Sequence, residues 1–327
     1  MRHKFIYIAS LLIILSSCTY EFNIDDVEAK RKPMVFCMPN TIGDTTLIQV
    51  SQSMNVNNKG TNTSAKPDIT FKLNGVEKEI KYTDKATDLL PANSYYVLGK
   101  LKEGDKIDLE ASYPDMPTAK SSTVIPQPFP LDKWDMILKD GSYGREIQFR
   151  ISFTDNADTK NYYGVRITRK ISYHNYYPDY NTGADYDKLL GIEFNLDEEP
   201  LLSKEVGFDE IFDISKLHYQ EIYLWDDTML NGKSYTLHLG TYYSEDSVNE
   251  YNSTVNFFKI YLYHFSEEMY KYLKSVNDIN DNELGGYGLA PIRSHYTNIE
   301  NGIGLLGGCS IYETDWIENL KDEENEE

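Results

Sequence analysis

A cysteine that ends an apolar segment has the most clearly defined chemistry in this sequence. Basic residues at positions 2–4 precede an apolar run over residues 5–15, and the run ends in the sequence Leu-Ser-Ser-Cys, whose last residue is Cys18. This order is typical of a bacterial lipobox, in which the thiol takes a diacylglyceryl group before a peptidase cuts in front of it. We predict that residues 1–17 are a signal peptide and that Cys18 is the acylated N-terminus, with palmitate-type chains that anchor it to a membrane. An ordinary secretory signal with a chance cysteine is the alternative.

Tyrosines form the second group with recognisable chemistry. The chain has 27 tyrosines but only 13 phenylalanines, and residues 173–188 (YHNYYPDYNTGADYDK) are especially rich in them. Proline and glycine in this segment predict a surface loop. A tyrosine offers a rigid ring with a polar tip, which suits contacts with proteins and with sugars. We therefore predict a contact surface at Tyr173, Tyr176, Tyr177 and Tyr180; a loop that folds onto its own sheet is the alternative.

Other patterns that could support catalysis or cofactor binding do not form a recognisable set. The histidines are scattered, and the sequence has neither a metal-type Cys/His spacing nor a nucleophile elbow. The glycine-rich segments 284–288 and 302–308 lack the helix that must follow a dinucleotide loop, so we interpret them as bulges, turns and sites of close strand packing. We predict no metal, no cofactor and no enzymatic activity, with a hydrolase as a further alternative.

Cys37 and Cys309 are the cysteines that remain beyond Cys18. A disulfide between them is compatible with an oxidising envelope, whereas two buried free thiols are typical of cysteines in a hydrophobic core. The sequence favours the free thiols but leaves both alternatives open.

Composition limits the class of protein. The 327 residues carry 52 acidic and 32 basic side chains, a formal net charge of −20. A nucleic-acid-binding protein needs clustered Lys and Arg, so this balance argues against such a partner. The length allows about two domains.

Short strands separated by polar turns follow a polar tether at residues 18–32. They include Thr45 to Val50, an alternating strand before Asn74-Gly75, and Lys106 to Ala111. Asn-Gly between strands predicts a tight hairpin turn. We predict an immunoglobulin-like β-sandwich over residues 33–126, which ends at a stiff connector of alternate prolines over residues 126–130.

A larger, antiparallel β-rich domain is predicted for residues 127–317. In Glu146 to Phe153 every second residue is apolar, which predicts one buried face, and we expect this strand to form a hairpin with Tyr162 to Ile167. Ser266 is placed to cap a helix with Met269, Leu273 and Val276 on its buried face. A second short helix is predicted near residues 209–212, and the acidic tail 318–327 is predicted to be disordered. The predicted fold class is thus mostly β, with one or two short helices.

Several sequence blocks together resemble the DUF4249 lipoproteins of the Bacteroidetes. The matching features are the lipobox at Cys18, the strand near Val35, Ser51-Gln52-Ser53, Thr123-Val124-Ile125-Pro126, Phe153-Thr154-Asp155, Asn161-Tyr162-Tyr163, Asn231-Gly232-Lys233, the segment from Ser266 to Leu273 and the segment from Thr297 to Gly304. They run through nearly the whole chain in this order.

The resemblance implies a role but no activity, because the family has none assigned. Its members resemble accessory lipoproteins encoded beside TonB-dependent transporters of the outer membrane. We therefore expect an outer-membrane, lipid-anchored protein on the periplasmic or cell-surface face that assists or binds such a transporter. A surface module that binds glycans or peptides is the alternative.

Overall fold

The computed structural model describes residues 31–53, 65–88, 90–141, 144–177, 182–202, 217–218, 220–280 and 294–321. The first strands are β1 (Pro33–Cys37), β2 (Thr45–Gln52), β3 (Asp68–Leu73), β4 (Val76–Glu77), β5 (Lys81–Thr83), β6 (Ser94–Leu98), β7 (Lys106–Ser112) and β8 (Ala119–Val124). They are followed by β9 (Leu131–Gly141), β10 (Gly144–Thr154), β11 (Tyr162–Tyr177), β12 (Thr182–Gly191), β13 (Phe194–Asn195), β14 (Leu217–His218), β15 (Tyr223–Asp226), a 3₁₀ helix (Asp227–Met229), β16 (Ser234–Tyr242), β17 (Ser247–Val248), β18 (Asn252–Phe265), α1 (Glu267–Asn280), β19 (Ile303–Leu306), β20 (Cys309–Glu313) and β21 (Ile317–Glu318). The predicted mostly-β fold class is confirmed.

Two sheets form a first sandwich. One has the strand order β19-β1-β2-β6-β5 and the other β4-β3-β7-β8. Alternate residues of β7, such as Ile107 and Leu109, point into a core that also contains Ile48 and Phe71. The predicted turn at Asn74-Gly75 is confirmed, because both residues have positive φ and join β3 to β4.

The first sandwich takes one strand from the far end of the chain. β19 pairs in parallel with β1, with Met34 opposite Ile303, so this sandwich includes residues from outside the predicted range 33–126. The Asn298 amide fixes the returning segment, since it donates to Leu306 O (2.8 Å) and accepts from Leu306 N (3.0 Å). The family-like block Thr297 to Gly304 therefore serves to bring β19 back to β1.

A second sandwich packs a sheet of order β14-β13-β16-β10-β9 against a larger sheet of order β12-β11-β18-β17, to which β15, β20 and β21 are added. As predicted, Ile147, Phe149, Ile151 and Phe153 are all buried in the core between the sheets. Burial of each such side chain stabilises the fold by roughly 2 kcal/mol.

The predicted hairpin of β10 with β11 is wrong. β10 pairs with β9 and β16, whereas β11 pairs with β12, β15 and β18 in the opposite sheet. Each of the two strands has one apolar face. β10 and β11 bury these faces against each other across the core, because they lie in opposite sheets and not side by side.

The proline-rich connector between the sandwiches is anchored at several points. Phe129 is buried in the second core, Ser310 Oγ donates to Pro126 O (2.6 Å), and His264 Nδ1 lies 2.8 Å from Gln127 O. The connector thus lies against β18 and β20 and holds the two sandwiches together.

Helix α1 begins as predicted after Ser266, whose Oγ accepts from Met269 N (3.3 Å). Met269 is buried, Leu273 is partly buried against the same cluster, and the helix continues beyond the predicted end at Asn277 to Asn280. This cluster includes Phe36 of the first sandwich, whose ring packs on Tyr272 at 6.1 Å. The predicted helix near residues 209–212 lies outside the described residues.

The disorder predicted for the acidic tail 318–327 is wrong for Glu318 and Asn319. Glu318 is the last residue of β21, and the Asn319 amide donates to Ser244 O (2.9 Å). Of the helices that the structure describes, none combines the length and the apolarity needed to cross a bilayer.

Candidate functional site

The tyrosine-rich segment is a β-hairpin, so the predicted surface loop is wrong for its described residues. Residues 173–177 end β11, residues 182–188 begin β12, and Tyr173 lies opposite Tyr186. Tyrosine is a good strand former, and β18 supplies β11 with a continuous partner up to Asn252. We call residues 172–177 and 182–189 the tyrosine arm.

The tyrosine arm divides the predicted contact residues between two faces. Tyr173 and Tyr177 lie on one face with Tyr186, whose ring stacks on Tyr173 at 4.8 Å between centroids. Tyr176 lies on the other face and stacks on Tyr251 at 6.4 Å. Tyr180 and Cys18 lie outside the described residues.

Both faces of the tyrosine arm are open to solvent. The face of Tyr173 continues the core face of β11, but Tyr177 and Tyr186 remain 51% and 53% exposed. On the other face, His174 Nδ1 and Asp185 Oδ1 form an exposed pair at 2.5 Å. β12 is an edge strand, exposed at all but one of its residues. Stacked rings beside a strand edge that pairs with no described strand provide a surface suited to a protein or carbohydrate partner.

A polar pocket on the second sandwich was missed by sequence reasoning. It has a volume of about 110 Å³ and lies on the outer face of the sheet that contains β9, β10 and β16. Glu146 and Gln148 point away from the core, yet they are only 8% and 2% exposed. The chain from Asn195, at the end of β13, to Glu198 covers them. Asn195 Nδ2 donates to Glu146 Oε1 (3.4 Å), and Gln148 Nε2 donates to Glu198 Oε2 (2.7 Å).

Two neighbouring carboxylates near this pocket have opposite environments. Glu198 accepts from Lys139 Nζ and Gln148 Nε2, both at 2.7 Å, and these hydrogen bonds lower the pKa of its carboxyl. Glu199 is 0% exposed, and burial raises the pKa of its carboxyl. Its oxygens accept from Tyr235 OH (2.8 Å) and His238 N (2.7 Å), so Glu199 holds this segment against β16.

The sequence contains only a weak signal for this pocket. Glu146 and Gln148 occupy the polar positions of an alternating strand, where exposure is the ordinary expectation. Gly141 leaves room for the Glu146 side chain, since a Cβ there would lie 2.2 Å from Glu146 Cδ, but this contact follows from the structure and not from the sequence. The alternation does not identify residues 195–199 as the segment that covers the strand.

The family-like blocks in the second sandwich converge on a buried carboxylate. Asp155 accepts from Tyr163 OH (2.7 Å), Asn161 Nδ2 (3.2 Å) and Gly232 N (2.9 Å). Burial, followed by the hydrogen bond to Asp155, raises the pKa of the Tyr163 hydroxyl. All partners are buried or backbone groups of turns, which indicates a structural role for these blocks.

The two cysteines are free and buried, as the sequence favoured. Burial raises the pKa of each thiol to about 12. His264 is also buried, and burial lowers the pKa of its imidazole. Over the described part of the chain, no three His, Cys, Asp or Glu side chains converge as a metal site would require.

These features define a protein of two β-sandwiches, the first of which takes the strand β19 from the far end of the chain. The sequence matches a domain of unknown function, DUF4249, over residues 19–315, and the chain belongs to this family. A search of curated proteins finds no match.

Proposed function

We propose that this chain is a lipid-anchored protein of the outer membrane of a Bacteroidetes bacterium and that it acts, without enzymatic activity, as an accessory or ligand-binding partner of a TonB-dependent transporter. The transporter is proposed from the family resemblance, and the tyrosine arm is proposed as the contact surface. The exposure of this arm on both faces is the observation that carries the proposed binding role.

The segment that leads to Cys18 supports the anchor. The family match begins at residue 19, directly after the predicted lipidation site. Residues 18–33 can span at most roughly 50 Å when fully extended. An acylated Cys18 would therefore keep both sandwiches close to the membrane, on its periplasmic or cell-surface side.

The tyrosine arm supports a binding role. Rigid aromatic side chains add contact area at little cost in conformational entropy, and Tyr is enriched at protein interfaces. Tyr177 and Tyr186 expose half of their surface. The stacked pair Tyr173–Tyr186 also offers a flat platform to a sugar ring, which favours a surface glycan- or peptide-binding module as the second candidate function.

A photo-crosslinking experiment in the native host tests the proposal. A benzophenone amino acid replaces Tyr177, and in a control variant it replaces Tyr312, an exposed tyrosine of β20 in the same sheet. Each variant is made with Cys18 and with Cys18→Ala. We expect a TonB-dependent transporter to be captured at position 177 and not at position 312, and only when Cys18 is present.

The other outcomes separate the candidates. Equal capture at both positions would show that the tyrosine arm is not the contact surface for the transporter. Capture of a glycan or of another protein at position 177 would favour the binding module. Membrane-bound protein whose Cys18 thiol is unmodified by mass spectrometry would contradict the anchor.

A further inference from the structure

Acidic residues predominate among the charged residues that line the polar pocket of the second sandwich. Four carboxylate residues and one lysine contribute to its wall: Asp140, Glu146, Asp197, Glu198 and Lys139. The other lining residues are Gly141, Gln148, Asn195, His238 and Gly240. The Asp140 carboxylate lies 3.1 Å from Arg145 Nη1, and Arg145 itself does not line the pocket. The remaining lining charges favour a positively charged occupant.

Glu146 is the most buried carboxylate of this wall, and its contacts with the described residues are long. Its Oε1 accepts a hydrogen bond from Asn195 Nδ2 at 3.4 Å, and its Oε2 lies 4.0 Å from Lys139 Nζ. Ordinary N–H···O bonds are 2.7–3.2 Å long, so both of these contacts are longer than a normal hydrogen bond. A buried carboxylate whose partners lie this far away keeps part of its desolvation cost, and a bound cation would offset that part.

The backbone around Glu146 keeps space for its carboxylate. At Gly141 a Cβ would overlap the Glu146 side chain, and at Gly240 it would lie 3.2 Å from Oε2. Meanwhile the neighbouring polar groups are already fixed. Gln148 Oε1 accepts from Arg150 Nε (3.0 Å), while its amide donates to Glu198. The pocket therefore has one rigid wall and one carboxylate, that of Glu146, which can accept further hydrogen bonds.

We infer that this pocket binds a small organic cation, a primary ammonium or a guanidinium group, with Glu146 as its principal partner and Glu198 at the rim. A volume of about 110 Å³ accommodates a group of a few heavy atoms or several waters. The described carboxylates do not converge as a metal site, whereas an organic cation needs only hydrogen-bond acceptors on one side. The inference is independent of the membrane anchor and of the tyrosine arm.

Calorimetric titration of the purified full chain tests this inference. Methylguanidinium and methylammonium are the probes, and acetate is the anionic control. We expect saturable binding of at least one cation that weakens with added salt, and none of acetate. Glu146→Gln, which keeps the size of the side chain, should weaken binding about tenfold or more.

Matched variants separate a binding role from a structural one. Asp158→Asn removes an exposed carboxylate of the same sandwich outside the pocket and should leave affinity unchanged. Glu198→Gln alters an exposed rim residue and should weaken binding with the fold intact, so the test stands even where Glu146→Gln lowers the thermal stability. A pocket filled by water alone would give no saturable heat with either cation, and that result would overturn the inference. Equal affinities of the wild type, Glu146→Gln and Glu198→Gln would overturn it as well.

A second arm identifies the source of the cation. Agmatine represents a free amine, and an acetylated arginine tripeptide represents a basic side chain of a protein. Tighter binding of the tripeptide supports a protein source, and tighter binding of agmatine supports a free ligand. Binding of neither larger probe, when methylguanidinium does bind, would limit the pocket to the smallest cations and contradict both sources.

Discussion

Glu198 and Glu199 show how adjacent residues of one type acquire different chemistry. Glu198 is exposed and is held by Lys139 and Gln148, and these contacts lower the pKa of its carboxyl. Glu199 is fully buried, and burial raises the pKa of its carboxyl although Tyr235 and His238 donate to it. The difference follows from which side of the segment faces the sheet.

The raised pKa of Glu199 predicts a pH dependence of stability. The folded state keeps a proton on this carboxyl at pH values where the unfolded state has lost it. Its contribution to stability is therefore fully present below the ordinary carboxyl pKa, about 4.3, and is lost as pH rises through the folded pKa. Glu199→Gln should remove this loss, which urea denaturation over a pH series would measure.

Glu198→Gln is the matched control for that measurement. The lowered pKa of Glu198 contributes stability above the ordinary carboxyl pKa, and this contribution is lost as pH falls through the folded pKa. The two variants should thus change the pH profile in opposite directions. Identical profiles for both would show that burial does not govern the Glu199 carboxyl.

At the scale of elements, the pairing of β19 with β1 depends on a glycine. Gly304 has φ of +122°, and a Cβ there would lie 1.9 Å from Val35 O. Backbone cannot move aside as a flexible side chain does, so Gly304→Ala should separate the two strands. We expect a loss of about 3 kcal/mol or more in the free energy of unfolding, measured by chemical denaturation.

Gly99→Ala provides the control for Gly304→Ala. Gly99 also has a positive φ, +137°, but a Cβ there would meet nothing within 4 Å. Its substitution should cost only the strain of the backbone conformation, about 1–3 kcal/mol. Equal losses for the two variants would mean that contact with β1 contributes nothing.

The sequence predicts individual elements better than their partners. Ile147, Phe149, Ile151 and Phe153 are apolar at every second position, so both the strand and its buried face can be predicted. The partner of β10 could not be, because a period of two gives no information about which strand lies alongside. The turn between β10 and β11 suggested a hairpin, whereas burial of both apolar faces required opposite sheets.

The sequence predicted contact residues of the tyrosine arm but not its strands, and it did not predict the pocket. Pro178 and Gly183 made the tyrosine arm look irregular, although β18 supplies the pairing that makes it a strand. The pocket depends on Asn195 and Glu198 lying over Glu146 and Gln148, which are far away in the chain. Long-range contacts of this kind leave no local pattern.

At the scale of the whole molecule, the cysteines report on whether the sandwiches unfold together. Cys37 lies in the first core and Cys309 in the cluster around α1. Burial raises the pKa of both thiols to about 12, so thiolate is scarce at neutral pH. In the full chain with Cys18→Ser, we expect both to resist a thiol reagent and to react at equal rates as denaturant is added.

Mass spectrometry of peptides from the labelled chain distinguishes the two cysteines. Equal rates are expected because β19 belongs to the first sandwich while the adjacent Cys309 begins β20 in the second. Faster labelling of Cys37 would show that the first sandwich opens by itself. The unfolding of the two halves would then be uncoupled.

The parallel pairing of β1 with β19 also has a mechanical consequence. β1 begins at residue 33, and it is flanked by β2 on one side and β19 on the other. Tension that enters through the preceding residues pulls along β1, and hydrogen bonds between strands lie across that direction. Bonds on both sides are loaded in shear and must yield together, whereas a strand at the edge of a sheet could be peeled away one bond at a time. If the protein is pulled through residue 31, the force acts on β1, and the hydrogen bonds on both sides of β1 oppose its removal from the sheet.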